Sequence, residues 1–299
     1  MVIEFAHETV LLKEAVEAIA PRDGGVYVDA TLGGAGHSRA LLEACGPTGK
    51  LFGIDRDPLA LSAAAERLAA FGPRATLLRG SFGDIRALLA SQGVSQVDGI
   101  VADLGVSSPQ LDRDERGFSF ARSGPLDMRM DPEDEPLSDW LERMSADEIA
   151  DVLYQYGDER RSRPIARSIK AALERGELTT TEDLRRAVVR VLGPKRTGVD
   201  PATRTFQALR IMVNREFEQL ESLLGAAADL LADEGRLAII SFHSGEDRIV
   251  KHTLRENPEL MVLTKKPLEP SEPEQAQNPR ARSAKLRVAS RVARGKDST

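Results

Sequence analysis

Cysteine, histidine and long hydrophobic runs are scarce in this chain of 299 residues. Its single cysteine, Cys45, excludes a disulfide within the chain and is expected to be a small buried apolar group. The four histidines lack the short paired spacing of typical metal ligands, so we expect no metal site. No window approaches the roughly 20 apolar residues that a membrane span needs. These absences predict a soluble cytoplasmic protein that makes no contact with membranes.

Positive charge is also in deficit. The chain has 41 Lys and Arg against 47 Asp and Glu, which gives a net charge of −6. This balance argues against nonspecific binding of polyanions over the whole surface, but it leaves room for nucleic acid on a local basic patch.

The most informative motif that is present is a glycine-rich loop, Gly33-Gly34-Ala35-Gly36, between a predicted strand over 26–29 and a predicted helix. Glycine lets a backbone approach a ligand where a Cβ would clash, and the start of a helix offers free N–H groups. Nineteen residues after Gly36, a second predicted strand ends in Asp55, where a carboxylate can accept hydrogen bonds from ribose hydroxyls. The pattern predicts a nucleoside site, with a glycine turn that binds no ligand as the alternative.

Three classes of ligand use a glycine loop at this place. A phosphate-binding P-loop needs Gly-Lys-Ser/Thr, whereas Gly49-Lys50 is followed by Leu51 and precedes a strand. A dinucleotide fingerprint needs a third glycine where Arg39 stands. An adenosine without phosphate remains, S-adenosyl-L-methionine above all. Asp29, just before the loop, favours its cationic sulfonium over a pyrophosphate.

Strands and helices alternate through the first third of the chain, which predicts an α/β fold with a parallel sheet and right-handed crossovers. Further strands are predicted over 75–79, 97–103 and 236–242, a long helical segment over 203–232, and a late hairpin between 261–264 and 284–289. In between, the chain is highly charged and helical, with a capping box at Ser145–Glu148. We therefore predict a discontinuous cofactor-binding domain over 1–112 and 201–299, and an inserted helical substrate-recognition domain over 113–200.

Four residues follow or end the predicted strands: Asp29, Asp55, Phe82 and Asp103. Ligands of open parallel sheets bind beyond the carboxyl ends of the strands. This convergence indicates a site at that edge of the sheet.

Several long motifs closely resemble the bacterial 16S ribosomal RNA cytosine-N4 methyltransferases. The resemblance extends from His7 to about Ala289 and is strongest over residues 103–112, 116–120, 124–130, 201–208, 241–248 and 278–283. One departure is Gly245, which stands where the family usually has leucine and is expected to loosen the start of the helix there.

The resemblance implies a Rossmann-like class I methyltransferase sheet with an inserted all-helical domain. It also implies N4-methylation of a cytidine in the decoding region of 16S ribosomal RNA, with S-adenosyl-L-methionine as the methyl donor. The substrate is then 16S rRNA or the small ribosomal subunit, and a homodimer is a further prediction. The cofactor contacts that the resemblance implies are Ala35, Gly36, His37, Asp55, Phe82, Asp103 and Gln110.

The exocyclic amine of cytosine is a poor nucleophile, so its methylation needs alignment with the sulfonium and an acceptor for a proton. Asp103 is the best candidate to orient the amine or the cofactor, and His243 is a second candidate, with a helix-capping role as its alternative. The backbone of Ser107–Pro109 is a third. RNA contacts are predicted at two basic clusters. The first contains Arg160, Arg161, Arg163, Arg167 and Lys170, and the second contains Arg280, Arg282, Lys285 and Arg287.

Other functions remain open at this point. A methyltransferase that acts on another nucleic-acid amine fits the same motifs. So does a non-catalytic module that binds S-adenosylmethionine and RNA and assists ribosome assembly. A nicotinamide dehydrogenase is disfavoured by Arg39.

Overall fold

The computed structural model describes residues 9–106, 110, 113–120, 122–194 and 198–293. They divide into two compact units. The first, here called the sheet unit, contains the chain up to Gly105 and from Phe217 onward. The second, the helical unit, spans Val106–Glu216.

The sheet unit is built on a seven-stranded sheet in the order β3-β2-β1-β4-β5-β7-β6. The five strands from β3 to β5 run parallel, and β7 is antiparallel to both β5 and β6. The strands are β1 (Val26–Asp29), β2 (Lys50–Asp55), β3 (Ala75–Arg79), β4 (Val97–Asp103), β5 (Leu231–Ser241), β6 (Leu260–Val262) and β7 (Lys285–Arg291). The predicted strands over 75–79 and 97–103 and the late hairpin are thereby confirmed.

Helices connect the strands and form the other unit. The α-helices described along their whole length are α1 (Leu12–Ile19), α2 (Gly36–Ala44), α3 (Pro58–Leu68), α4 (Ile85–Ser91), α5 (Leu137–Arg143), α6 (Ala146–Gly157), α7 (Ser162–Glu174), α8 (Thr181–Leu192), α9 (Thr203–Asn214), α10 (Glu216–Leu230), α11 (Ser244–Glu256) and α12 (Glu272–Gln277). None of these described helices is long and apolar enough to cross a membrane.

The central strands are apolar because helices cover both faces of the parallel sheet. Val28, Ile100 and Ile239, on β1, β4 and β5, are fully buried or nearly so. Burying an aliphatic side chain of this size contributes about 1.5–3 kcal/mol, so the middle of the sheet is the stable part of the platform that carries the strand ends.

Strand β5 begins at Leu231, five residues before the predicted start. Leu231 pairs with Val97, and Arg236 pairs with Gly99, so the register between β4 and β5 shifts and accommodates extra residues. Glu234 in that stretch has φ 64°, a left-handed conformation that a helix would not allow. The predicted helical segment over 203–232 therefore ends earlier than expected.

The helical unit has its own apolar core and is longer than the 113–200 segment that the sequence predicts. Helix α9 lies beyond that segment and contributes Phe206, Leu209 and Val213 to the core of the unit. After α9, Arg215 adopts φ 50°, which separates α9 from α10. The predicted capping box at the start of α6 is confirmed, since Ser145 and Glu148 bond each other's backbone N–H groups.

Candidate active site at the carboxyl edge of the sheet

The structure brings four of the predicted site residues to one edge of the sheet. Asp29, Asp55 and Asp103 end strands β1, β2 and β4, and Phe82 follows β3 by three residues. These strands are consecutive in the order β3-β2-β1-β4. Neighbouring strands lie about 4.8 Å apart, so the four strand ends form a continuous row.

The glycine loop is tied to this row by the carboxylate of Asp55. Its Oδ2 accepts a hydrogen bond from Gly33 N at 2.8 Å, and its Oδ1 accepts one from Asp57 N at 2.9 Å. Asp57 in turn caps α3 by accepting from Leu59 N at 3.0 Å. Burial raises the pKa of Asp55 to about 6, although the N–H bonds to Asp57 and Gly33 oppose the shift. Asp55 therefore positions the loop whatever else it binds.

Asp29 connects the same loop to the helix that follows. Ser38 Oγ, in the first turn of α2, donates to Asp29 Oδ2 at 2.6 Å, and Thr31 N donates to Oδ1 at 3.2 Å. The side chain is only 1% exposed, and this burial raises its pKa to about 6. Ser38 and Thr31 were not predicted as site residues, because nothing in their spacing distinguishes them from ordinary helix-start and turn residues.

Ala35 and Gly36 form the start of α2. Ala35 is the N-cap, in a left-handed conformation with φ 59°, and its side chain provides no cap. A Cβ on Gly36 would lie 1.8 Å from Thr9 Oγ1. Glycine at 36 is therefore required by packing within the chain, a reason that adds to the close approach of a ligand that the sequence suggests.

Asp103 is the most unusual group at this edge. Its backbone N donates to Thr31 Oγ1 at 2.6 Å, which joins the ends of β4 and β1. Its Oδ2 lies 4.0 Å from Nδ1 of buried His37, whereas its Oδ1 has no hydrogen-bond partner among the described residues. Burial raises the pKa of Asp103 well above its ordinary value, and the charges of Asp29 and Glu246 raise it further.

The edge therefore holds three carboxyl groups whose ionised forms are disfavoured. A nearby positive charge favours ionised carboxylates. A cationic ligand such as a sulfonium fits this donor set, and a pyrophosphate does not. Within the described part of the chain, no group of three His, Cys, Asp or Glu side chains could hold a metal ion.

His243 follows β5 and is the N-cap of α11, the alternative role that the sequence allows. Its Nδ1 accepts from Glu246 N at 3.3 Å, and Glu246 Oε2 accepts from His243 N at the same distance. The buried Glu246 carboxylate also accepts from Phe242 N at 2.8 Å, so it holds the end of β5. Glu246 was not predicted as a site residue, because an acid in the first turn of a helix is common.

Gly245 has a packing reason for departing from leucine. A Cβ at this position would lie 2.6 Å from Cζ of Phe217, whose ring centroid is 5.7 Å from that of His243. Helix α11 still begins at Ser244 with its capping box complete, so its start is not loosened.

Two predicted cofactor contacts differ in their setting. Phe82 is half-buried, packs on the core of the sheet unit and stands at the start of a 3₁₀ turn capped by Ser81. Gln110 belongs to the helical unit and is buried there. Ser107–Pro109, the third candidate for orienting the amine, lies outside the described residues.

The predicted RNA-binding arginines lie on both units. Residues Arg160, Arg161, Arg163 and Arg167, here called the arginine cluster, are all exposed around the start of α7. Glu159, next to the cluster, is buried and accepts a hydrogen bond from Arg161 N at 2.8 Å. Arg280 and Arg282 are exposed on a 3₁₀ turn of the sheet unit.

A parallel sheet with an antiparallel seventh strand, a glycine loop and an acidic carboxyl edge defines a methyltransferase with a Rossmann-like fold. The MraW methylase family matches residues 4–292, and the chain belongs to that family. The resemblance to rRNA methyltransferases and the class I fold are thereby confirmed, and the methyl donor is S-adenosylmethionine.

Two relatives are consistent with this assignment. "Ribosomal RNA small subunit methyltransferase H" of Sorangium cellulosum is 57% identical over 96% of this chain and 91% of the relative. The protein of the same name from Trichlorobacter lovleyi is 48% identical over 97% and 99%. An rRNA methylase from Streptococcus thermophilus, 11% identical, aligns over 94% of this chain and 93% of its own with a TM-score of 0.42.

Proposed function

We propose that this protein transfers the methyl group of S-adenosylmethionine to N4 of a cytidine in the decoding region of 16S ribosomal RNA. Its relatives bear the name of a small-subunit rRNA methyltransferase. The observation that carries the proposal is the row of carboxyl groups ending at Asp103 Oδ1, a buried acceptor without a described hydrogen-bond partner.

The loop side of the row binds the cofactor. Asp55 keeps lone pairs free on both oxygens after its bonds to Gly33 and Asp57, since each carboxylate oxygen can accept more than one hydrogen bond. It accepts from the ribose hydroxyls. The half-buried ring of Phe82 packs on the adenine. Ala35, Gly36 and His37 line the start of α2, and Gln110 is a further contact that the resemblance implies.

Asp103 contacts the amine that is methylated. The bound cofactor supplies an electrophilic methyl group on a cationic sulfur. Asp103 accepts a hydrogen bond from the cytosine amine, which aligns the nitrogen and disperses the positive charge that develops on it. Alignment alone can contribute several kcal/mol, up to about 7–11 in ideal cases. Because a cation lowers the pKa of a carboxyl group, the cofactor itself favours the ionised form of Asp103 that can do this.

His243 is a second contact with the target base. The ring stands at the next strand end, and in the neutral form Nδ1 accepts from Glu246 N, so Nε2 carries the proton. Nε2 lies 3.0 Å from Oε1 of Glu246, so its donation to an acceptor on the base competes with this contact, and Glu246 positions the ring.

The arginine cluster, with Arg280 and Arg282, binds phosphates of the rRNA. The target cytidine must leave its base stack to reach the methyl group, as with other base-modifying enzymes. The partner is 16S rRNA, alone or within the small ribosomal subunit. A homodimer and a cytoplasmic location stay predictions.

The test is transfer of a tritiated methyl group from S-adenosylmethionine to naked 16S rRNA and to purified small subunits, followed by mass spectrometric mapping of the labelled nucleotide. Label on N4 of a decoding-region cytidine is the expected result. Label on another amine would replace the proposed substrate. Binding of both ligands without transfer would instead favour a non-catalytic assembly factor.

A further inference from the structure

A basic cavity lies in the sheet unit, beside the edge strand β6. Its volume is about 230 Å³. Four cationic side chains line it, Lys251, Arg255, Lys265 and Arg287, and no carboxylate is among the described residues that do so. Leu254 and Val262 form its apolar wall.

The local structure explains why the cations converge. Lys251 and Arg255 are one helical turn apart on α11, so they point to the same side, with buried Leu254 beside them. Lys265 follows β6 closely, and Arg287 comes from the adjacent strand β7. A helix and a two-stranded hairpin thus supply the two sides of the cavity.

Among the described residues, partners compensate one of the four charges. Arg287 is buried and makes a bidentate pair with Asp247, with Nε to Oδ1 at 2.7 Å and Nη2 to Oδ2 at 3.2 Å. Lys251, Arg255 and Lys265 are exposed, and their side chains form no ion pair or hydrogen bond with other described residues. Three uncompensated like charges around a small cavity favour an anion with several oxygen acceptors.

The position of the cavity relates it to the substrate. Strand β6 is antiparallel to β7, and β7 is antiparallel to β5, so β6 runs with the parallel strands. Lys265 therefore lies near the same edge of the sheet as Asp103. Three strand spacings separate β4 from β6, roughly 14 Å. A ligand in the cavity lies beyond the reach of the target nucleotide itself.

We propose that the basic cavity binds a backbone phosphate of the RNA substrate, outside the target nucleotide. The inference rests on the proposed function, since it takes RNA as the substrate. The basic cavity would thus be an RNA contact on the sheet unit, in addition to the arginine cluster of the helical unit.

The test compares two triple variants. Lys251→Ala, Arg255→Ala and Lys265→Ala together remove the free charges of the cavity. Lys13→Ala, Arg86→Ala and Arg175→Ala remove as many exposed charges elsewhere, each of them paired with a surface acid. Binding of labelled 16S rRNA fragments is measured by anisotropy over a range of salt concentrations.

The cavity variant should lose about 0.7 in the log–log salt slope for each lost phosphate contact, which is about fivefold in affinity at about 0.1 M salt. The control variant should bind like the wild type, and both should bind S-adenosylmethionine normally. Lys265 lies outside any helix, so the single change Lys265→Ala replaces the triple variant if that variant unfolds at a lower temperature than the wild type. The single change should reduce the salt slope and the RNA affinity in the same direction.

Equal salt slopes for the cavity variant and the wild type would overturn the proposal. Inorganic phosphate is titrated in parallel. Saturable phosphate binding that depends on the three cations, together with unchanged RNA binding, would also overturn the proposal and would indicate a site for free phosphate. Methyl transfer by the wild type to the same RNA tests the proposed function separately, so failure of one does not imply failure of the other.

Discussion

Asp103→Asn is the most informative single change in this protein. Asparagine keeps the shape and one carbonyl acceptor but removes the charge. The change breaks no side-chain hydrogen bond among the described residues, because Oδ1 has none and the bond to Thr31 uses the backbone N. Since the folded state disfavours ionised Asp103, the variant should unfold at a temperature no lower than the wild type at pH 7.

The cost to catalysis follows from electrostatics at close range. At a separation of about 4 Å, two unit charges interact by about 4 kcal/mol with an effective dielectric constant of about 20. Loss of that interaction with positive charge developing on the amine corresponds to about three orders of magnitude in rate. We expect methyl transfer to slow by about two to four orders of magnitude.

The assay is single-turnover methyl transfer at saturating S-adenosylmethionine and RNA, so that weaker binding is not mistaken for slower chemistry. Asp84→Asn, an exposed aspartate on the 3₁₀ turn after β3, is the matched control and should react normally. RNA affinity should not change. Affinity for S-adenosylhomocysteine, which lacks the positive sulfur, should fall less than affinity for S-adenosylmethionine. A single-turnover rate within a few fold of the wild type would remove Asp103 from the reaction.

Three further predictions test the rest of the site. Asp55→Ala should lower affinity for S-adenosylmethionine at least tenfold, because hydrogen bonds to a charged acceptor are worth about 1.5–3 kcal/mol; unchanged calorimetric affinity would exclude the ribose contact. Joint replacement of the arginine cluster by alanine should weaken RNA binding and flatten its salt dependence without affecting the cofactor, and an unaltered slope would make it only a solvated surface. Burial raises the pKa of Asp29 from 3.8 to about 6, so the folded state keeps this proton to a higher pH than the unfolded state does. The free energy of unfolding should therefore fall by about 3 kcal/mol as pH rises from about 4 to above 6. Asp29→Asn should abolish that contribution in denaturant titrations, and an equally steep pH dependence in both proteins would contradict it.

The strand ends were predictable because their signals are local. An apolar run that ends in an acid marks β1, β2 and β4, and the parallel topology that follows from strand–helix alternation puts those acids at one edge. The capping box of α6 was predictable for the same reason, since its residues are three apart in sequence.

The remaining features depend on contacts between distant segments. The side chain of Thr9 leaves no room for a Cβ at residue 36, and the ring of Phe217 leaves none at residue 245. The start of β5 depends on a register shift against β4, which no pattern within Ala232–Gly235 reveals. The basic cavity likewise combines residues of a helix, a loop and a strand, whose charges look like ordinary solvated residues when read one segment at a time.

The acidic edge links these long-range contacts to the reaction. Strand ends fix Asp29 and Asp103 in a buried setting, where burial disfavours ionisation of both and the charge of Asp29 raises the pKa of Asp103 further. Without a compensating charge, this arrangement costs folding free energy near neutral pH. A cationic ligand removes the cost by stabilising the ionised carboxylates. The same field then discriminates between the methyl donor and its neutral product, because only the donor carries the positive sulfur that the edge favours.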